Sequence, residues 1–274
     1  MKDNTPDLWR EALPWPPAPH AHKYDRGHVF VTGGDAMTGA ARMAILAAMR
    51  IGAGLGTVTA HPDILPVYQA ALMHVMVKLA EKPEMTLNLI NDTCRSVIVC
   101  GPGMGRNEPR MLRHSVLNLL NKKIFMVLDA DALTAFQDDP ERLGRALHAD
   151  CVLTPHPGEF ERLFPDLDGD RTGQACRAAE RFNCTVVLKG RETVIAAPGR
   201  AVINRHATPW LSTAGAGDVL AGMIGGLIAQ GMAPFEAACA GVWLHGDSGI
   251  RRGSGLVAPD LIEDMPSAIK ALGF

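Results

Sequence analysis

The amino-acid sequence predicts an α/β fold, a three-layer αβα sandwich in which helices cover both faces of a largely parallel sheet. Short runs rich in Val and Ile alternate along the chain with stretches of helical periodicity, which is the order that builds a parallel sheet. The apolar runs are continuous rather than alternating, as expected for strands buried on both faces. With 274 residues, 47% of them hydrophobic, the chain is long enough for one large domain with a full core.

The elements follow one another as strand, helix and strand. "HVFVTGG" (28–34) predicts a strand that ends in glycines, "AARMAILAAMRIGAG" (40–54) predicts a helix with a glycine stop, and "GTVTA" (56–60) predicts the next strand. The pattern repeats, with strands predicted in "SVIVC", "IFMVL", "CVL", "TVVL" and "TVIAA" and helices in "PRMLRHSVLNLLNKK", "PGEFERLF" and "APFEAACAGVWLHGDSGIRR". No composition break or internal repeat divides residues 27–274, so a single domain is predicted there.

Residues 1–26 are predicted to form an extended arm ahead of that domain, because "PWPPAP" is stiff and non-helical. Such an arm would wrap either its own domain or a neighbouring subunit. Trp9 and Trp15 of this arm would suit a contact between subunits.

Composition argues against several classes of protein. The net charge of −2 and an aromatic content of 5% do not favour a nucleic-acid-binding surface. The six cysteines form no CxxC pair, which is typical of reduced thiols in a cytosolic protein and does not favour a zinc site. The polar N-terminal stretch lacks the apolar core of a signal peptide, and no run reaches the length of a membrane span. We therefore expect a cytoplasmic protein with no membrane partner.

The stretch "STAGAGD", which ends at Asp218, combines a turn of small residues with one acid at the predicted start of a helix. A helix N-terminus presents unpaired N–H groups and partial positive charge, and small residues let an anion approach them. An anion hole for a transferring phosphate is predicted from the N–H groups of Ala214, Gly215, Ala216 and Gly217. Asp218 would accept a proton from a substrate hydroxyl. The alternative is that Asp218 serves only as an N-cap.

Other predicted strand ends carry residues from which a ligand site could be built. Lys189 could contact a nucleotide phosphate or only be solvated. His156 lies between two prolines, which would hold its ring for contact with a ligand. Asp129 and Asp131 could hold Mg²⁺ through water, hydrogen-bond a substrate or cap a helix. The chain lacks the P-loop motif, and the glycines of "GGDAMTG" do not fit the dinucleotide-binding fingerprint.

Together these motifs resemble those of the ADP- or ATP-dependent NAD(P)H-hydrate dehydratases of the ribokinase-like superfamily. The resemblance spans roughly residues 27–271 and is carried by "TGGDAMTGAARMAILAAMRIGAGLGTVTA", "VCGPGMG", "LDADAL", "LTPHPGEFERL", "VLKGRETVI" and "STAGAGDVLAGMIGGLIAQG". It implies a ribokinase-like fold and repair of the S-epimer of hydrated NADH or NADPH (NADHX or NADPHX). The hydrate hydroxyl would be phosphorylated from ADP or ATP, with Mg²⁺ as cofactor, and the phosphate would then leave. Bacterial members generally use ADP.

The resemblance also implies roles for residues at matching positions. The hydrate would be contacted by Ala40, Gly103, His156 and Asp218, with Asp218 as the catalytic base. The nucleotide would be bound by Lys189, Gly190, Arg191, Glu192, Thr193 and Gly217. Family members often form homo-oligomers, so the resemblance implies a homo-oligomer, with a tetramer as one candidate form. Many members carry an epimerase domain ahead of the dehydratase, where this sequence shows only the short arm, so we expect the chain to work with a separate NAD(P)HX epimerase. It departs from the family pattern at Asp35, where Ser is usual, and in the glycine-poor "RHATPW".

Two alternatives to a dehydratase are a kinase and a nucleotide-binding protein without catalytic activity. A related kinase for a small alcohol or vitamin, of the hydroxyethylthiazole or hydroxymethylpyrimidine type, would keep the anion hole and Asp218 but release a stable phosphate ester. "TPHPGE" argues against it, because those kinases tend to place an asparagine-and-glutamate signature there. A nucleotide-binding regulatory protein without turnover would gain little from a base at the anion hole.

Overall fold

The computed structural model describes residues 2–274 and contains a ten-stranded sheet with helices on both faces. The spatial order of the strands is β1-β10-β9-β8-β7-β6-β5-β2-β3-β4. Within the described residues every strand runs in the same direction except β9, which is antiparallel to both neighbours. The predicted three-layer sandwich with a largely parallel sheet is therefore confirmed.

The strands are β1 (Lys2–Asp3), β2 (His28–Thr32), β3 (Leu55–Ala60), β4 (Met76–Leu79), β5 (Ser96–Cys100), β6 (Phe125–Leu128), β7 (Cys151–Leu153), β8 (Thr185–Leu188), β9 (Thr193–Ala197) and β10 (Arg200–Asn204). The helices are α1 (Thr38–Arg50), α2 (Leu65–Ala71), α3 (Pro109–Leu120), α4 (Asp131–Thr134), α5 (Pro140–Ala146), α6 (Pro157–Leu163), α7 (Arg171–Phe182), α8 (Ala216–Ala229), α9 (Pro234–Arg252) and α10 (Ala258–Ala271). Short 3-10 turns lie between some of these elements.

Two apolar cores lie on opposite faces of the sheet, because consecutive side chains of a strand point to opposite faces. In β2, Val29 and Val31 pack into the core formed with α1, α8, α9 and α10, whereas Phe30 packs into the core formed with α3 and α7. All three side chains are buried. This two-sided burial explains why the strands are continuously apolar in the sequence.

The order of the strands indicates the edge of the sheet at which a ligand is expected to bind. From β2 the chain moves outward through β3 and β4, and it then returns to the other side of β2 for β5 and continues to β8. Adjacent parallel strands whose connections diverge in this way open a crevice at their carboxyl ends, where ligands bind. The glycine and acid loops of the sequence lie at this edge.

The N-terminal arm packs against its own chain. β1 pairs in parallel with β10, and the Trp9 indole is 2% exposed, with its Nε1 donating to Asn4 Oδ1 at 3.0 Å. The rings of Trp9 and Trp243 lie 5.8 Å apart, and those of Trp15 and Phe274 lie 6.0 Å apart. Trp9 is thus used within the chain rather than for the expected subunit contact, and Met1 lies outside the described residues. The arm boundary at residue 26 and the oligomeric state stay predictions.

Three strands of the sheet were not predicted: β1, β4 and β10. β1 has two residues, β4 reads "MVKL", a largely exposed edge strand without an apolar run, and β10 reads "RAVIN", a short run with polar ends. Within residues 2–274, none of the helices combines the length and the apolar character needed to cross a bilayer.

Candidate active site

The turn before α8 presents unpaired backbone donors. Gly215 precedes the helix with a φ of 90°, and the N–H of Ala216 is already used within the turn, 3.3 Å from the Thr213 carbonyl. Within the described residues, the N–H groups of Ala214, Gly215 and Gly217 donate to no acceptor. The structure therefore offers three of the four predicted anion-hole donors, because Ala216 is engaged in holding the turn.

Asp218 lies in the first turn of α8 and does not act as its cap. Gly215 occupies the N-cap position, and no side-chain capping bond is made at this helix end. Burial, followed by the negative charge of Asp129, raises the pKa of Asp218 to about 7. A carboxylate with a pKa near neutrality can accept and release a proton at physiological pH, as a general base requires.

A buried ion pair lies directly beside this turn. Lys189, just after β8, places its Nζ 2.8 Å from Oδ1 of Asp129, just after β6, and the Asp129 side chain is 2% exposed. A Cβ on Gly217 would lie 3.3 Å from that Nζ. Burial lowers the pKa of Lys189, but the charges of Asp129 and Glu159 outweigh it and raise the pKa overall. Lys189 is therefore a charged ammonium beside the candidate anion hole.

His156 is held rigidly at the start of α6. The ring Nδ1 of His156 accepts from the backbone N–H of Glu159 at 3.2 Å, and the backbone N–H of His156 donates to Glu159 Oε2 at 2.9 Å. The two bonds form a capping box. Burial and the charge of Asp129 raise the pKa of Glu159. The imidazole itself is 47% exposed, so this fixed ring is accessible to a ligand.

Asp131 and Asp129 point to different partners and do not build a protein metal centre. Asp131 accepts from the Gly105 N–H at 2.8 Å and pairs with Arg106 at 3.2 Å, whereas Asp129 is paired with Lys189. Among residues 2–274, no three His, Cys, Asp or Glu side chains come together as metal ligands. Asp129 and Asp131 are thus each already paired and do not form a ready-made Mg²⁺ site.

The predicted hydrate contacts Ala40 and Gly103 lie together where two loops cross. A Cβ on Gly103, which has a φ of 70°, would lie 3.1 Å from the Ala40 Cβ and 2.2 Å from the Met37 carbonyl oxygen. The Met37 N–H donates to the Gly103 carbonyl at 3.1 Å. A Cβ on Gly34 would lie only 1.8 Å from the same carbonyl oxygen. The glycines of "GGD" and "GPGMG" therefore let two strand-end loops cross in contact.

A cavity of about 180 Å³ continues the site beyond Gly105, at the carboxyl ends of β2 to β5. Its lining includes Asp35, His61, Met104, Glu108 and Ser115. Because Gly105 also donates to Asp131, the cavity lies next to the residues that follow β6. It provides space for parts of a ligand that lie away from the reacting atoms.

The predicted nucleotide residues fall into two environments. Gly190, Arg191 and Glu192 form an exposed turn between β8 and β9, and Glu192 pairs with Arg205 at 3.0 Å. Lys189 instead turns inward to Asp129. The exposed turn and the inward-facing ammonium would therefore contact different parts of a nucleotide, although both lie at the same edge of the sheet.

A sequence model of the NAD(P)H-hydrate dehydratase family matches residues 29–265, which include every residue discussed in this section. The chain belongs to the NAD(P)H-hydrate dehydratase family. The resemblance noted in the sequence is thus confirmed.

Two curated proteins illustrate the relationship. The chain is 37% identical over 267 residues to the ADP-dependent (S)-NAD(P)H-hydrate dehydratase of Neisseria meningitidis, covering 93% of this chain and 88% of that protein. It is 36% identical over 267 residues to the bifunctional NAD(P)H-hydrate repair enzyme of Coxiella burnetii, covering 92% of this chain and 53% of that protein. The chain therefore spans about half the length of this bifunctional relative.

Solved structures of similar proteins share the whole fold. A ribokinase-like superfamily protein from Enterococcus faecalis matches with a TM-score of 0.84 at 26% identity, covering 99% of this chain and 96% of that one. The ADP/ATP-dependent NAD(P)H-hydrate dehydratase of Bacillus subtilis, co-crystallised with ATP and Mg²⁺, matches with a TM-score of 0.82 at 27% identity, covering 99% of both chains. The ribokinase-like fold of this dehydratase family member is confirmed.

Sequence reasoning missed one pairing and the roles of two supporting residues. The pairing of Asp129 with Lys189 joins residues 60 positions apart, which no local pattern can reveal. Glu159 could have been found, because a glutamate three residues after an N-cap is the capping-box spacing. His245, on α9, donates from Nε2 to the Ala216 carbonyl at 2.9 Å, and burial lowers its pKa to about 4, so it supports the start of α8 as a neutral ring.

Proposed function

We propose that the chain is an NAD(P)H-hydrate dehydratase that uses ADP, with ATP as the alternative donor, to restore NADH or NADPH from the S-epimer of NADHX or NADPHX. One observation carries the proposal: unpaired N–H groups of the turn before α8 lie beside Asp218, whose pKa is about 7. This pairs an anion hole with a base, which is what phosphoryl transfer to a hydroxyl requires.

The first step of the proposed mechanism is phosphoryl transfer. Asp218 accepts the proton of the hydrate hydroxyl as the hydroxyl oxygen attacks the terminal phosphorus of the nucleotide. The bond from that phosphorus to the bridging oxygen breaks, so ADP leaves as AMP. The N–H groups of Ala214, Gly215 and Gly217 donate to the phosphoryl oxygens, where negative charge is spread in the transition state.

The second step is elimination of the phosphate. The bond between the ring carbon and the phosphate oxygen breaks, assisted by the electron pair of the adjacent ring nitrogen. The neighbouring carbon then loses a proton to the departing phosphate, and the ring double bond of the reduced nicotinamide is restored. The leaving phosphate carries the bonding electrons, so this step needs no oxidant and no further reactant. The protein mainly has to position the two substrates.

Several finer assignments are part of the proposal. Ala40, Gly103 and His156 are proposed to contact the hydrate because they lie at the same sheet edge as Asp218. Lys189 to Thr193, with Gly217, are proposed for the nucleotide. Mg²⁺ is proposed to arrive with the nucleotide, since Asp129 is paired with Lys189 and Asp131 with Arg106. The homo-oligomer, the cytoplasmic location and the epimerase partner stay predictions, supported by family membership.

The test is a repair assay with each nucleotide in turn. Purified protein is incubated with NADHX and ADP, ATP or neither, and the absorbance of the reduced nicotinamide is followed. We expect absorbance to return only with a nucleotide, with one AMP and one phosphate released for each NADH when ADP is the donor. Recovery without nucleotide, or none with either, would reject the proposal. A stable phosphate ester instead of NADH would favour the kinase alternative.

A further inference from the structure

The ion pair of Asp129 and Lys189 is built into the centre of the site. Asp129 follows β6 and Lys189 follows β8, the two strands that flank β7, so the sheet fixes the backbone positions of both residues. Their atoms Oδ1 and Nζ are 2.8 Å apart, and the exposed fractions of the side chains are 2% and 21%. A buried carboxylate with so little exposure has lost most of its hydration and depends on this partner.

The pair packs directly against the backbone of the turn that carries the candidate anion hole. A Cβ on Gly217 would lie 3.3 Å from Lys189 Nζ and 3.7 Å from Asp129 Oδ2. Because Gly217 has no side chain, the ammonium lies close to the turn without being displaced. The positive charge of Lys189 therefore adjoins one of the three unpaired N–H groups.

We propose that Asp129 is a positioning residue that holds the Lys189 ammonium against Gly217, where it faces the transferred phosphoryl group and is kept from pairing with Asp218. The inference rests on the proposed function. It assigns Asp129 to the ammonium rather than to Mg²⁺ or to a helix cap.

The balance of charges explains why such a device is needed. One ammonium serves three carboxylates, those of Asp129, Glu159 and Asp218. If Lys189 swung to Asp218, it would stabilise the ionised carboxylate and weaken it as a base. With Asp129 occupying the ammonium at a short distance, Asp218 retains a high affinity for the proton of the hydrate, and Lys189 still adds positive charge beside the phosphate.

The test compares Asp129→Asn with the wild-type protein and with Asp129→Glu. Asn keeps the shape of Asp but loses the charge that holds Lys189. We expect kcat to fall by about 10²-fold, the usual size of a lost electrostatic contribution, while the KM for NADHX changes little. We also expect the acid limb of the kcat–pH profile to move to lower pH, because Asp129 no longer raises the pKa of Asp218 and Lys189 is released toward it. Asp129→Glu should restore part of both.

Asp247→Asn is the matched control. Asp247 is also buried, 7% exposed, and pairs with Arg251, but it lies on α9 outside the proposed machinery. It should lower the free energy of unfolding without moving the acid limb. An unmoved limb in Asp129→Asn, or an unchanged kcat, would overturn the inference and leave Asp129 a structural residue. Failure of the proposed function is a different result, because the wild-type protein would then show no nucleotide-dependent repair at all.

Discussion

Replacing Asp218 by Asn is expected to lower kcat for NADHX repair by about 10²- to 10⁴-fold, the range that a general base contributes. The amide keeps the size of the carboxyl group but cannot accept the proton of the hydrate hydroxyl. Binding of ADP should persist, because the N–H groups of Ala214, Gly215 and Gly217 belong to the backbone. Steady-state kinetics and isothermal titration with ADP measure the two effects. Near-normal turnover in the variant would mean that Asp218 has no part in proton transfer.

The pH dependence of the wild-type protein follows from the same side chain. A base works in its ionised form, so with a pKa of about 7 the rate should fall as the pH drops below neutrality. The effect of pH on the free energy of unfolding is opposite to its effect on the rate. The folded-state pKa lies above the ordinary value of 3.8, so the native protein binds the proton more tightly and loses stability as the pH rises between these values. Asp218→Asn should therefore unfold at a higher urea concentration than the wild-type protein at alkaline pH.

Replacing Gly34 by Ala is expected to destabilise the protein by about 3 kcal/mol or more and to abolish repair, a severe case of overpacking. The added Cβ would lie 1.8 Å from the Gly103 carbonyl oxygen and 2.4 Å from the Met104 backbone nitrogen. These are backbone atoms, so no change of rotamer can relieve the overlap. The two loops would have to separate, and with them the proposed hydrate contacts. Urea unfolding with linear extrapolation measures the loss.

Gly39→Ala is the matched control for this prediction. Gly39 lies in the first turn of α1, and its added Cβ would come no closer than 3.9 Å to another group, the tip of Arg42. Because Ala favours a helix over Gly, the free energy of unfolding should stay the same or rise by up to about 1 kcal/mol. Equal, small effects of the two substitutions would show that the crossing of the loops is not tightly packed.

Local patterns were sufficient to predict most strands of the sheet and the edge at which the candidate site lies. The strands that carry the site are apolar runs buried on both faces, and each is followed by glycine or acid residues that the fold brings to one edge. The predicted helix at 40–54 was displaced to Thr38–Arg50, because Met37 occupies the N-cap position and the "IGAG" segment leaves the helix. Helix ends depend on such capping details, which periodicity alone does not determine.

The contacts that the sequence did not predict depend either on the exact path of a turn or on pairings across the fold. The engagement of Ala216 by Thr213 depends on the exact path of the turn. The contact of His245 with the Ala216 carbonyl depends on how α9 packs beside α8. The burial of Trp9 accompanies the pairing of β1 with β10, two segments that lie far apart in the sequence. Tertiary packing decides the last two of these contacts.

A crystal structure of the protein with ADP bound tests the central claim most directly. The account predicts that the terminal phosphate lies about 3 Å from the N–H groups of Ala214, Gly215 and Gly217, with the Asp218 carboxylate facing the side from which a hydroxyl attacks. A terminal phosphate bound elsewhere, with these N–H groups bonded to protein acceptors, would contradict it.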